Sequence, residues 1–126
     1  MGELLNLDLD LEQKASAVRE QLSAAVCQYG RVIYSNSLGA EAMVLTDIIW
    51  SHVPEIDMFS IDTGRLHEET YELLEKLQRR YKRPIRVVYP DAQALEKLVS
   101  VQGVNGFYHS LDARLSCCHA RKVEPF

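Results

Sequence analysis

Apolar residues at Leu11, Ala15, Val18, Leu22, Ala25 and Val26 recur every three or four positions, which winds them onto one stripe of a helix over 11–29. Asp10 is placed to cap that helix and Gly30 to end it. Cys27, near the helix end, reads as a packed core thiol. The stretch RVIYSNS that follows is short and β-branched, and predicts a strand. Residues 40–51 are apolar on nearly all sides and predict a helix buried between a sheet and its neighbours. The alternation then repeats: IDMFSI (56–61) as a strand, Leu66 to Arg80 as a helix with Tyr71, Leu74, Leu77 and Tyr81 in register, and IRVVY (85–89) as a strand between Pro84 and Pro90. Asp91 then caps a helix running through Leu95, Leu98 and Val99 towards Gly103.

Strands alternating with helices of this length require parallel crossovers, so the expected class is α/β, a parallel sheet with helices on both faces. Three strands make a narrow sheet, and a parallel sheet needs cover on each face. The chain also closes on the apolar VEPF without a stop signal. The expectation is therefore one domain of which residues 1–126 form the N-terminal part, the C-terminal part being absent.

Composition narrows the function classes. The chain is 47% apolar and 25% charged, an ordinary globular balance. A net charge of −4 argues against a nucleic-acid binder held by phosphate attraction. Neither a membrane-length apolar run nor a basic-then-apolar leader is present, and three cysteines is an odd number. A reducing, cytoplasmic setting follows as the expectation, with thiols serving metals or catalysis. Arg79, Arg80, Lys82, Arg83 and Arg86 read as a solvated helix end. Arg114, His119, Arg121 and Lys122 instead crowd the same few residues as Cys117 and Cys118.

Ligands of open α/β sheets bind at the carboxyl ends of the strands. SNSLGAE (35–41) leaves the first strand there: Gly39 permits a tight backbone path, small Ser35, Ser37 and Ala40 let a ligand approach the main chain, and the helix start favours an anion. No lysine follows Gly39, so this is not the phosphate loop ending in Gly-Lys-Ser/Thr. IDTGR (61–65) leaves the second strand: Asp62 and Thr63 are hydrogen-bonding or turn residues, Gly64 turns the chain, and Arg65 can reach an anion. The adjacent thiols pose a separate question. Neighbouring Cα atoms lie about 3.8 Å apart, inside the roughly 4.4–6.8 Å of an unstrained disulfide. The pair is a strained redox switch, two unrelated thiols, or two ligands for something soft.

Taken together, YSNSLGAEAMVLTDI, FSIDTGRLHEETYELLEKL and CCHARKVEPF resemble the thioredoxin-dependent sulfonucleotide reductases, which act on adenylyl sulfate or phosphoadenylyl sulfate in sulfate assimilation. The resemblance covers roughly residues 30–126 and implies an adenine-nucleotide hydrolase-like (Rossmann-like) fold. It places Ser35, Ser37, Gly39 and Ala40 on a modified pyrophosphate loop, and Ile61, Asp62, Thr63, Gly64 and Arg65 on a Leu-Asp-Thr-Gly-type loop, both lining the nucleotide pocket. Ile61 departs from the usual leucine, which matters little where contact is through backbone. The resemblance further implies that Cys117 and Cys118 supply half the ligands of a [4Fe–4S] cluster, that Lys122 lies between cluster and substrate, and that Arg121 supports the region structurally. His119 is expected to be solvated or locally hydrogen-bonded rather than a ligand.

The implied reaction is reduction of adenylyl sulfate to sulfite and AMP, with thioredoxin as electron donor. In such enzymes the nucleophilic cysteine lies in a C-terminal Glu-Cys-Gly-Leu-His segment, and a later Cys-x-x-Cys completes the cluster. Neither is in this sequence, so no catalytic residue is assigned and the 126-residue chain is expected to be inactive alone, with exposed apolar surface favouring self-association. Rival readings are phosphoadenylyl sulfate reduction, disfavoured by the cysteine pair, and ATP cleavage, disfavoured by the lack of a doubled glycine and Asp-Ser in SNSLGAE. A zinc or thiol module is a third, and it would need His109, His119 or a second chain to complete four ligands.

Overall fold

The computed structural model describes residues 2–126, with side chains from Asp8 onward. The chain runs α1 (Gly2–Tyr29), β1 (Ile33–Ser35), α2 (Ala40–His52), β2 (Asp57–Ile61), α3 (Glu68–Tyr81), β3 (Arg86–Val88), α4 (Ala92–Gln102) and α5 (Leu111–Cys118). A single 3₁₀ turn at Gly106–Tyr108 precedes α5 and a widened, π-type turn at His119–Val123 follows it. The strands form one sheet in the order β1-β2-β3, and β2 and β3 run parallel with Phe59 opposite Arg86 and Ile61 opposite Val88. This is the expected α/β class, a parallel sheet flanked by helices.

Two compact units divide the chain between Met58 and Phe59. In the first, α1 packs on α2. Ala15, Val18, Leu22, Ala25 and Val26 turn inward as their spacing requires, but Leu11 stays exposed. α1 begins at Gly2, so Asp10 lies inside the helix and pairs with Lys14 at 3.0 Å instead of capping it. The upstream LNLDLDL run contains no breaker, and the helix simply continues through it. Gly30 does end α1: its φ is +75°, and its N–H closes on Val26 O at 2.8 Å. Cys27 is exposed, not a core thiol, because the inward stripe passes through Ala25 and Val26 and leaves the next position on the outer flank.

The core of this unit comes from α2 and the strand that follows it. Ala42, Thr46, Ile48, Ile49, Trp50, Val53, Ile56 and Met58 are buried, and enclosing Ile49 or Ile56 contributes about 1.5–3 kcal/mol each. Glu41, Val44 and Asp47 face outward, so α2 is buried over most of its circumference but has one open flank.

In the second unit Phe59, Leu77, Ile85, Cys117 and Ala120 are buried, and Phe59 meets Phe126 ring to ring at 5.9 Å. α3 ends at Lys82, which takes the left-handed conformation, with Arg79 and Arg80 in the last turn where cations offset the helix dipole. Asp91 caps α4 through Ala94 N–H at 3.0 Å, and Gly103 terminates it at φ +78°. α5 has no counterpart in the periodicity reading. It is one short helix, capped by Ser110 through Ala113 N–H at 3.0 Å, and it carries both vicinal thiols.

Candidate functional site

In the first unit, the loop leaving β1 is built around Asn36, which is 2% exposed. Its Oδ1 accepts from Leu38 N–H at 2.8 Å, and its Nδ2 donates to Thr46 Oγ1 at 2.8 Å and to Met58 Sδ at 3.1 Å. Thr46 in turn donates to Ala42 O at 2.6 Å. These bonds hold Leu38 at φ +62°, a left-handed conformation that a branched residue rarely adopts.

The tight turn is therefore at Leu38, not Gly39 as the sequence suggested. Gly39 has φ −79° and ψ 176°, open to any residue, and an added Cβ would meet only Ser37 Oγ at 3.5 Å and Glu41 Oε2 at 3.6 Å. Gly39 is the N-cap of α2 yet brings no side chain to cap it, and Ser37 Oγ accepts from Gly39 N–H at 3.4 Å. Ser35 is exposed and Ala40 opens α2. The fold does not demand a glycine here, and the main chain is left approachable where helix N–H groups begin.

In the second unit, Asp62 and Thr63 act as turn residues. Asp62 Oδ1 accepts from Gly64 N–H at 2.8 Å and from Tyr71 O–H at 2.9 Å, and Thr63 Oγ1 accepts from Arg65 N–H at 3.2 Å. With two donors on one oxygen, the Asp62 carboxyl is committed to shaping the loop. Burial and then this hydrogen bond raise the Tyr71 phenol above its ordinary pKa of 10.0. Ile61 is half-buried opposite Val88. Gly64 has φ +80°, and a Cβ there would lie 3.2 Å from Arg121 Nη1. Here the positive φ favours glycine, and the nearby guanidinium leaves little room for a side chain.

Arg65 is held rather than free. Its guanidinium donates to Val104 O and to Asn105 Oδ1, each at 3.0 Å, and lies 4.7 Å from the centre of the Phe107 ring. Arg121 Nη1 donates to Thr63 O at 2.6 Å.

These contacts border a cavity of about 540 Å³ lined by Thr63, Gly64, Arg65, Leu66, His67, Phe107, Tyr108, Arg114, Cys117, Cys118, Arg121 and Lys122. Of the anticipated residues the cavity brings together Thr63, Gly64, Arg65, the thiol pair and Lys122, whereas Ile61 and Asp62 do not line it. Several guanidinium and ammonium groups border it without a single lining carboxylate among the described residues, a setting for an anion. Asn105, Phe107 and Tyr108 escaped the sequence reading. Nothing local marks them, because the Arg65–Asn105 contact spans 40 positions.

Cys117 is buried and Cys118 half-buried, and both are free thiols in this one cavity. Consecutive positions on α5 keep them too close for an unstrained disulfide, and they are soft donors of the kind that iron–sulfur clusters take. The basic side chains around them would offset the negative charge of thiolates and sulfide. The donor set fits half of a four-thiolate cluster. It does not complete a zinc site: His67 borders the same cavity and His119 a separate groove beside α4, but among the described residues no three His, Cys, Asp or Glu are grouped closely enough to hold a metal ion.

The chain thus joins a parallel α/β fold to a cavity bordered by cations and by two adjacent thiols. The family model for the phosphoadenosine phosphosulfate reductase domain matches residues 31–126, and the chain belongs to that family. It is 40% identical over 119 residues to the adenosine 5'-phosphosulfate reductase of Burkholderia cepacia, covering 91% of this chain and 48% of that protein. Against the adenosine 5'-phosphosulfate reductase of Allochromatium vinosum it is 42% identical over 115 residues, covering 91% of this chain and 45% of the relative. The chain thus spans about half the length of the curated relatives it matches. Among the described residues, no helix is long and apolar enough to cross a membrane.

Proposed function

We propose that this chain supplies the nucleotide- and thiol-bearing part of an enzyme that reduces adenylyl sulfate to sulfite and AMP. One observation carries the reading: Thr63, Gly64, Arg65, the vicinal thiols and Lys122 line a single cationic cavity, with no lining carboxylate among the described residues. Main-chain N–H groups around Ser35, Ser37, Gly39 and Ala40 are assigned to the nucleotide phosphate. Lys122, Arg114 and Thr63–Arg65 are assigned to the sulfate end, with Ile61 and Asp62 shaping the turn that presents them. Cys117 and Cys118 are assigned as two of four thiolate ligands to a [4Fe–4S] cluster; bound there, the cluster would supply soft, thiolate-held iron beside the anion.

In the proposed reaction a cysteine thiolate from outside these residues attacks the sulfate sulfur. The new S–S bond forms as the S–O bond to AMP breaks, and AMP leaves with that electron pair. The two thiols of thioredoxin then reduce the S-sulfocysteine, releasing sulfite and becoming a disulfide. Fixed positive groups and loop N–H donors would stabilise the phosphate as it departs. The three unpaired thiols suit a reducing, cytoplasmic setting.

The test is a calorimetric titration of the chain with adenylyl sulfate, its 3′-phosphorylated form and ATP, beside a sulfite assay with reduced thioredoxin. Preference for adenylyl sulfate without sustained turnover is expected. Preference for the 3′-phosphorylated nucleotide would move the assignment to phosphoadenylyl sulfate, the substrate named in the family description. Sustained turnover by the chain alone would refute its expected inactivity.

A further inference from the structure

Arg121 lies in the widened turn directly after the thiol pair, where Glu124 N–H reaches back five residues to His119 O at 2.9 Å. A wider turn rotates the residues after Cys118 away from ordinary helical register. The consequence is one short bond: Arg121 Nη1 to Thr63 O at 2.6 Å, joining residues 58 positions apart. Gly64 sits against this contact, where a Cβ would lie 3.2 Å from the same Nη1. The guanidinium is enclosed enough that its Nε–H has neither solvent nor a protein acceptor, a penalty that the fold tolerates to keep the group in place. Loop, cation and thiols all border the same cavity.

We propose that Arg121 is a positioning residue: by pinning the Thr63 carbonyl to the turn that follows Cys118, it sets how a nucleotide held by the loop is aimed at the thiol pair. The inference rests on the nucleotide reading above and adds a role to a residue that reading leaves as support. Its physical basis has two parts. The bond turns a partly negative carbonyl oxygen into a satisfied acceptor at the rim of an anion site. It also ties the two halves of the cavity wall, so that the distance from loop to thiols does not depend on a flexible turn. Misplacement by about 1 Å costs on the order of 100-fold in rate for a reaction between oriented groups.

The test uses the full chain and 5′-chloroacetamido-5′-deoxyadenosine, an adenosine that alkylates thiols with loss of chloride. Mass spectrometry reads adducts at Cys117 and Cys118, and the exposed Cys27 serves as an internal standard for general alkylation. Arg121→Gln is expected to lower the saturated labelling rate at the pair by at least about 10-fold, with half-saturation changed by less than about threefold and Cys27 unaffected. Arg121→Lys, which keeps the charge and one donor, is expected to recover part of that rate and covers the case in which the glutamine variant does not fold.

An unchanged rate overturns the proposal, as does a loss confined to half-saturation. So does a fall matched in proportion by plain iodoacetamide, which would show an effect of charge alone. AMP calorimetry on the unsubstituted chain separates the two levels. AMP binding without saturable labelling of the pair sinks the positioning role and leaves the nucleotide reading standing, whereas absence of AMP binding sinks both.

Discussion

Replacing Gly39 by alanine separates what the loop after β1 needs to fold from what it needs to bind. The backbone there is extended, at φ −79° and ψ 176°, and the new methyl group would meet its neighbours at 3.5 and 3.6 Å, ordinary contact. The remaining cost is the weaker N-cap, at most about 1 kcal/mol, or a few degrees in Tm for a chain of this size. Binding faces a different limit. A phosphate drawn to the first N–H groups of α2 would meet the methyl group, and losing one charge-assisted hydrogen bond of about 1.5–3 kcal/mol weakens affinity roughly 10- to 150-fold. Calorimetry with AMP beside thermal unfolding measures both quantities on one preparation. Gly64→Ala is the contrast: φ +80° alone imposes about 1–2 kcal/mol on an alanine, so stability should fall there first. The reasoning is refuted if Gly39→Ala binds AMP normally, or if it unfolds as readily as Gly64→Ala.

Further outcomes follow from the same contacts. Asn36→Ala orphans the Leu38 N–H that Asn36 Oδ1 satisfies at 2.8 Å, and urea unfolding should show a loss of about 1–3 kcal/mol with an unchanged slope. Tyr71 has a folded pKa raised above 10.0, so its bond to Asp62 stabilises the fold below that pH and is lost as pH rises through the raised value. Tyr71→Phe should therefore be less stable than the parent at neutral pH, with the gap closing in alkaline urea titrations; a constant gap would contradict the assignment. Val101, Val104, Leu111 and Leu115 are exposed apolar residues around α4 and α5, and sedimentation at rising concentration should show association of the isolated chain. A strict monomer would count against it.

The strand–helix alternation, the Asp91 cap and the Gly30 stop were legible because each rests on local chemistry: periodicity, a short side-chain acceptor, a residue free at positive φ. Asp10 misled because a good cap residue inside a breaker-free run is simply helical. Cys27 misled because apolar character does not fix which side of a helix a residue takes beyond the stripe. The turn burden assigned to Gly39 fell on Leu38, since only the buried Asn36 network, assembled from β1, α2 and β2, forces that conformation. α5 was hidden by its brevity, and the hold of Asn105 and Phe107 on Arg65 by sequence distance. Thr63, Gly64, Arg65, Cys117, Cys118 and Lys122, which border the cavity, could be picked out by residue type; the bonds that orient them could not.

The account turns on Cys117 and Cys118 serving inorganic iron beside a bound sulfonucleotide. The direct measurement is iron and acid-labile sulfide analysis of the protein as its own cells make it, purified without oxygen and assayed in the same batch for adenylyl sulfate reduction. About four irons and four sulfides per chain, both lost together with activity in Cys117→Ser/Cys118→Ser, is the expected result. A colourless, metal-free enzyme that reduces adenylyl sulfate at full rate would contradict it.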